Sequence, residues 1–354
     1  MVIKLRPAGP WRIGPDTGAR NKVDAIYHSD SLYGAVCSAM ARMGRLEEWL
    51  DATARSASSE VCFSSCFPFL DEIGFVPPPR TVWPPAQAGL TAARVRWKSA
   101  RFVPLGIVQA ILAGQRLDDG QWAIDGPSEC LVPIGRLGPF RAAVRWSAAV
   151  DRLTGATERH STACLEFRPG SGMWLIVAFR DDAARERWAT PVQAALRWLA
   201  DSGFGGERSR GWGRAEAPEF IEGSLPEMIL GAAPAAAPEP AAPVEGSEEA
   251  APAPTTPAPA NDSSRAHWLL SLFTPAADDA VDWARGNYTM LTRGGRVETS
   301  GELKKQAPMV AEGSVVYAAS APRGSAADVA PEGSAHPVYR AGFALAIALP
   351  EVPA

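Results

Sequence analysis

The sequence predicts an α+β fold: two ferredoxin-like (RRM-like) units in tandem, the first with large insertions, joined by an Ala/Pro-rich linker. Three observations carry this expectation. Residues 231–260 read GAAPAAAPEPAAPVEGSEEAAPAPTTPAPA, with no aromatic and almost no large aliphatic side chain. Such a segment cannot bury enough surface to offset its ordering entropy, and its prolines favour an extended, semi-stiff spacer. Before it, strand and helix patterns follow the order strand–helix–strand–strand–helix–strand, and after it a shorter set repeats the scheme. The expected boundaries are residues 1–224, a disordered linker at 225–264, and residues 265–354.

The first unit opens with a strand at Val2–Leu5, followed by a Gly/Pro-rich loop through Gly18. Leu32, Val36, Ala39, Met40 and Met43 then recur at helical spacing, with Ser29 or Asp30 suited to the N-cap and Gly44 to the C-terminal end. A second short helix is expected over Leu46–Ala54 and a strand over Cys62–Leu70, while the proline-laden stretch Gly74–Pro85 reads as irregular. Ala142–Val150, Thr162–Phe167 and Met173–Phe179 read as strands. Thr190 can cap a helix with Pro191 at its first position, its apolar face made by Val192, Ala195, Leu196 and Leu199. A Gly-rich loop and a strand from Arg214 to Ile221 follow. In the second unit, His267–Phe273 is expected as a strand, Pro275–Ala284 as a short helix, and Tyr288–Thr292, Met309–Tyr317 and Val338–Leu349 as strands.

The chain carries a net charge of −4, which at first argues against a nucleic-acid partner. The charge is unevenly spread. Leu225–Asp262 holds six acidic residues and no Lys or Arg, so the remainder has 35 basic against 33 acidic residues, a balance of +2. Any RNA contact must therefore use local patches rather than a global field. The five cysteines are odd in number and irregular in spacing, so no disulfide framework is expected. Cys62 and Cys66 lack a second pair or a nearby His to complete a zinc site. The opening MVIKLRPAG is strand-like rather than a signal peptide, and no apolar run approaches the ~20 residues needed to span a bilayer. The expectation is a soluble, reduced, cytoplasmic protein with no metal and no cofactor.

Three segments stand out chemically. Gly203-Phe204-Gly205-Gly206-Glu207-Arg208-Ser209-Arg210-Gly211-Trp212-Gly213 combines glycines, which suit positive φ or close approach to a ligand, with two guanidinium forks and two aromatic faces. Successive main-chain N–H groups in such a loop can cradle an anion, and the aromatics can stack bases. The loop lacks the GK[ST] ending of a nucleotide-binding P-loop and precedes a strand rather than a helix. The second segment runs from Arg141 to Glu158. Arg141 and Arg145 share a strand face, and Asp151, Arg152, Thr154 and Gly155 form a polar turn that a solvated hairpin tip would equally explain. The third, Tyr27–Ala35, places His28 before a helix N-terminus, where anions bind; a capping role with a structural hydrogen bond is the simpler account, a general base the sharper one. Arg94, Arg96, Lys98 and Arg101 make a further basic run that an ordinary charged edge strand would explain.

His28-Ser29-Asp30-Ser31-Leu32-Tyr33-Gly34-Ala35 resembles the H-[AS]-D-T-L-[FY]-x-A opening of the RAMP protein that is subunit four of type III-A CRISPR (Csm) complexes. Val150–Ala156 resembles that family's [IV]-D-R-x-T-x-x-A hairpin, and Gly203–Gly213 its G-[FI]-G-G-[KR]-R-S-x-G-[WL]-G loop. Ala311–Val315 and His336–Arg340 match further blocks, in the same order, whereas the Ala/Pro spacer departs from the family's usual compactness. The resemblance implies two ferredoxin-like units without nuclease activity. It implies binding of the 5′ tag of the CRISPR RNA, and docking on the large polymerase-like subunit and the first backbone RAMP subunit, with no membrane and no direct DNA contact. The residues expected at RNA are Phe204, Gly205, Gly206, Arg208, Ser209, Arg210, Gly211, Trp212, Arg141, Arg145, Asp151, Arg152, His28 and Ser29, and none is expected to be catalytic. Two other readings stay open: a repeat-processing endoribonuclease using His28 as general base, and a general single-strand RNA chaperone.

Overall fold

The computed structural model describes residues 1–15, 19–85, 97–118, 120–231, 264–297 and 300–350. The expected linker lies mostly outside these residues, as do Arg94 and Arg96. Strand β1 (Val2–Leu5) turns Ile3 and Leu5 into the core, as its alternation requires. After it come α1 (Ser29–Arg42) and α2 (Leu46–Ala52). The single strand expected over Cys62–Leu70 is two, β2 (Val61–Phe63) and β3 (Phe67–Leu70). The break is at Ser64–Cys66, where main-chain N–H groups turn aside to Ile176, Leu270 and Tyr27 carbonyls.

The insertion comprises β4 (Ile73–Val76), β5 (Val103–Pro104), α3 (Leu105–Leu112), β6 (Trp122–Asp125), β7 (Cys130–Pro133), β8 (Phe140–Val150) and β9 (Thr157–Phe167). Strand β4 overlaps the start of the stretch expected to be irregular; its Phe75 and Val76 are buried, and burial outweighs the prolines that follow. The unit is completed by β10 (Ser171–Phe179), α4 (Asp182–Ser202), β11 (Glu219–Ile221) and a short α5 (Glu227–Leu230). Helix α4 starts eight residues before the expected Thr190, because Asp181 accepts the Ala184 N–H at 2.7 Å and caps it there. Pro191 sits inside the helix, held by packing that includes the buried Trp188 against Trp49.

The sheet order is β11–β1–β10–β3–β4–β5, with β2 also paired to β10, and β1, β10, β11, β2 and β3 pair antiparallel. Taking β2 and β3 as one strand position, the four main strands stand fourth–first–third–second.

The C-terminal part is β12 (Arg265–Leu269), β13 (Val281–Asn287), β14 (Met290–Arg293), β15 (Ala307–Val310), β16 (Val315–Ala318), β17 (Gly324–Asp328), β18 (Tyr339–Phe343) and β19 (Ala346–Ala348). Its main sheet, β13–β16–β12–β19, repeats the same order read from the other edge. It contains no helix among its described residues. The helix expected over Pro275–Ala284 is a turn running into β13. The Asp279 carboxylate accepts N–H groups of Ala276, Arg323 and Gly324 at 2.8–2.9 Å, a local alternative to helical bonding. In the place of a second helix stands the β17–β18 hairpin, whose β18 packs on α1. Trp268, Phe343 and Leu345 join the same apolar core as Trp11, Leu32 and Phe67, so the two parts share one interior. No helix among the described residues is long and apolar enough to cross a membrane.

Candidate nucleic-acid interface

The Gly-rich loop is fixed by its glycines at two points. A Cβ on Gly205 would overlap the Arg12 carbonyl oxygen, and one on Gly213 that of Phe204; both residues have positive φ, 74° and 81°. The close approach here is to protein rather than to ligand. Gly206 N–H donates to Arg12 O at 2.8 Å, Phe204 N–H to Gly213 O at 2.9 Å and Gly213 N–H to Pro10 O at 2.9 Å. The expected cradle of free N–H groups is therefore largely engaged within the fold. Phe204 is corrected outright: it is 1% exposed and stacks on Trp11 at 5.1 Å, with Tyr27 edge-on at 6.0 Å, so its ring offers no face to a base.

Beyond the turn the loop divides. Gly205, Gly206 and the half-buried Arg208 line a cleft of about 930 Å³. Ser209, Arg210, Gly211 and Trp212 are not among its lining residues, and Arg210 Nε lies 3.2 Å from Glu207. The cleft's other walls come from distant sequence: the outer face of α1 (Ser31, Gly34, Ala35, Ser38), the loop after β14 and the start of β18. Among the described residues, six arginine and lysine side chains line it, Arg12, Arg208, Arg293, Arg296, Lys304 and Arg340, together with His28, against one carboxylate, Asp30. Arg12 is a scaffold: its guanidinium donates to the carbonyls of Arg20 and Ala163 at 2.9 Å and of Ala19 at 3.1 Å.

At the floor of the cleft, a seam of buried ions joins α1 to the C-terminal part. His28 is the N-cap residue of α1 but makes no side-chain cap bond. Its Nδ1 lies 2.7 Å from Glu312 Oε1 and its Nε2 3.3 Å from Asp24 Oδ2. Burial alone would lower the imidazole pKa, but the Glu312 carboxylate and the bonds to Asp24 and Glu312 outweigh it and raise it to about 9. The ring is thus a buried imidazolium, 3% exposed, with both nitrogens engaged. Glu312 also accepts the Ser65 hydroxyl.

Ser29, expected at RNA or at the cap, is buried instead; its Oγ accepts the Leu272 N–H at 3.0 Å. Asp30 accepts Arg293 Nε at 3.1 Å and Nη2 at 3.0 Å, and pairs also with Arg340. Burial would raise its pKa, yet Arg293 and then Arg340 hold it at about 2.

The remaining expected residues stand elsewhere. Arg141 and Arg145 lie on β8, where both guanidiniums bind Glu166, at 3.0 and 2.8 Å. Asp151 caps the hairpin turn, accepting N–H groups of Leu153 and Thr154 at 2.7 and 3.2 Å, and Arg152 is exposed beside it. None of the four lines the cleft. Of the basic run near residue 100, Arg101 pairs with Asp24 at 2.8 Å. Sequence reasoning missed Arg12, Arg296 and Lys304 as cleft residues. It also missed the pairing of Asp30 with Arg293 and Arg340, although Glu312 and Arg340 lay inside blocks singled out from the sequence.

Residues 262–349 match the family model of the CRISPR Csm4 C-terminal domain. The chain is similar to the CRISPR system Cms protein Csm4 of Thermococcus onnurineus (strain NA1), 25% identical over 233 residues that cover 63% of this chain and 68% of that one. In fold it resembles a chain of the Csm3–Csm4 subcomplex of the type III-A CRISPR-Cas interference complex, with TM-score 0.60 at 13% identity over 98% of each chain. It likewise resembles a chain of the Csm1–Csm4 cassette crystallised with pppApA, with TM-score 0.54 at 18% identity over 99% of this chain and 98% of that one. The C-terminal quarter of the chain thus matches a Csm4 domain, a Csm4 relative aligns with most of the chain, and the fold is like that of chains in type III-A CRISPR (Csm) complexes.

Proposed function

We propose that the cleft holds single-stranded RNA, and that in the assembled complex this RNA is the 5′ tag of the CRISPR RNA. The observation that carries the reading is the concentration of charge. Among the described residues, a chain of net charge −4 lines one concave site with six arginine and lysine side chains and a single carboxylate, and that carboxylate is already bonded to two of the six. Segments near residues 28, 205 and 338 converge there, so RNA in the cleft would touch both parts of the chain. On this reading the two sheets are a duplicated ferredoxin-like unit whose second copy has no helix among its described residues. The chains of similar fold were crystallised with Csm1 and with Csm3. Docking on a large polymerase-like subunit and on a first backbone subunit fits that company.

The reading assigns placement rather than chemistry. A general base must offer a lone pair to the proton it removes. His28, the candidate of the endoribonuclease alternative, is protonated near neutral pH and bonded at both nitrogens. The test is Arg208→Ala with Lys304→Ala. Guide-RNA affinity should fall by on the order of 1–3 kcal/mol and the salt dependence should flatten by about one ion per cation removed. Unchanged affinity and slope would remove the cleft as the site. Repeat-RNA cleavage by the purified chain, lost in His28→Ala, would favour the alternative.

A further inference from the structure

Among the described residues that line the cleft, Arg340 carries a buried N–H with no partner. Its Nη1 donates to Asp30 Oδ2 and its Nη2 to the Gly294 carbonyl. Its Nε–H makes no hydrogen bond, and the side chain is 6% exposed. A guanidinium holds five N–H donors in a rigid fork, so some can be fixed while another stays unmet. Burial decides what that means. The β8–β9 hairpin, an antiparallel ribbon, exposes Arg141 and Arg145, and water meets any N–H that Glu166 leaves over. Water does not reach the Nε of Arg340, and a buried donor without an acceptor costs free energy that a bound acceptor returns. Arg293, on the same carboxylate, is engaged more fully: its Nε and Nη2 both donate to Asp30, and Nη2 also to Ser31 Oγ at 3.1 Å.

The two acceptors that hold Arg340 are themselves occupied. Asp30 Oδ1 already accepts the Ser31 N–H at 2.7 Å and Arg293 Nη2 at 3.0 Å, while Oδ2 accepts Arg293 Nε at 3.1 Å and Arg340 Nη1. The Gly294 carbonyl is taken by Nη2. Donors, by contrast, gather here. The loop after β14 continues Arg293-Gly294-Gly295-Arg296, and all four residues line the cleft with Arg340. The main-chain N–H groups of Gly294 and Gly295 donate to nothing among the described residues. An added Cβ on Gly295 would have nothing within 4 Å, so the space over the loop is open. An unmet guanidinium N–H beside unmet main-chain N–H groups is a set of donors alone, and it suits a group that only accepts.

We propose that Arg340 and the Gly294–Gly295 main chain form a subsite for one phosphate group of the strand in the cleft, and that Asp30 is its positioning residue. This rests on the reading of the cleft as an RNA site. A phosphate oxygen accepts the Nε–H in a charge-assisted bond, and the other oxygens meet the glycine N–H groups. The guanidinium tilts about its bonds to Asp30 and Gly294 to bring Nε to the ligand. Asp30 does not touch RNA. It engages Nη1, so that Nε is the donor left for the phosphate. A sugar hydroxyl or a base carbonyl is the poorer fit, since neither brings a charge to a buried cation. Asp30 stands on α1 and Arg340 on β18, so the phosphate joins a run of bonds that crosses both parts of the chain. The other cations of the cleft attract the strand by charge, and this subsite fixes its register.

The test is a methylphosphonate scan of a synthetic single-stranded RNA with the sequence of the guide's 5′ end, bound to the full native chain. Each methylphosphonate removes one charge and one acceptor at a chosen linkage. One linkage should lose affinity about tenfold or more, against about twofold at the others. The same RNA with a 5′-phosphate and with a 5′-hydroxyl is compared alongside, and a tenfold preference for the phosphate would make the bound group the terminal one. Arg340→Lys keeps the charge but has no Nε–H. In that variant the sensitive position should become ordinary while the salt slope stays the same. Asp30→Asn should narrow the gap between the sensitive linkage and the others, with folding checked by melting. A flat scan with no effect of the 5′-phosphate would overturn the proposal on the native chain alone, whatever the stability of the variants. So would a sensitive linkage that persists in folded Arg340→Lys. Normal RNA binding by Arg340→Lys with loss of capture by co-expressed subunits would also overturn it, by giving the donor to a partner's acidic side chain. A flat scan together with weakened binding in Arg208→Ala with Lys304→Ala would sink the subsite and leave the cleft standing.

Discussion

The cleft and the hairpin put arginine to opposite uses. In the cleft, arginines arrive from sequence positions far apart, and two of them are fixed by one buried carboxylate, Asp30. In the hairpin, two arginines four residues apart share one partly exposed carboxylate, Glu166, across the ladder. A charge pair buried beneath a concave wall is screened weakly, whereas a pair on a ribbon surrounded by water is worth little. The presence of arginine therefore says less about ligand binding than the shape of the surface that holds it.

The largest expected difference between the regions is in stability. Asp30→Ala strands Arg293 and Arg340 without their shared anion and should destabilise the chain by about 3–5 kcal/mol in denaturant titration. A loss below about 1 kcal/mol would mean the seam is not the join between the two parts. Its pH response comes next. The pKa of His28 is raised from its ordinary value to about 9. Its stabilisation is therefore complete below the unfolded value near 6.5 and disappears as pH rises through about 9. The contribution is on the order of 2–3 kcal/mol. Asp24, Asp30 and Glu312 are depressed, so their stabilisation is present above the usual carboxylate range and disappears on acidification. Melting temperature should accordingly fall between pH 7 and 10 in the native chain and change less in His28→Gln; equal slopes for the two would contradict this assignment.

A subtler probe fills the cleft without disturbing its walls. Gly34 lies on α1 at the cleft, with nothing within 4 Å of an added Cβ. Gly34→Trp should lower guide-RNA affinity by about 1–3 kcal/mol while helix and fold remain as stable or slightly more so. Retained affinity with a normal fold would place the RNA elsewhere. The smallest expected effect is on the hairpin. Glu166→Gln releases Arg141 and Arg145, yet stability and RNA affinity should each move by less than about 0.5 kcal/mol. A clear gain in RNA affinity would show that those arginines reach RNA once freed.

Much of the fold was legible because it is written locally. The helical spacing of Leu32, Val36 and Met40 and the alternation of β1 needed nothing beyond their own neighbourhoods. The start of α4 was misplaced because Pro191 is a strong local signal, yet the Asp181 cap and the buried Trp188 override it. The candidate site was legible in part. Gly205, Gly206, Arg208 and His28 do line the cleft, but burial withdraws Phe204 and Ser29 from it. The pairing of Asp30 with Arg293 and Arg340 spans 263 and 310 residues, and no periodicity reports a contact of that range.

The ionic seam also orders events in time. A ribosome releases α1 long before Arg293, Glu312 and Arg340 have been made. Until then Asp30 has no cation of its own seam, and His28 has Asp24 but not Glu312. The first turn of α1 therefore reaches its final environment only once residue 340 has been synthesised. A product truncated before Arg293 would lack the seam and much of the cleft's walls together.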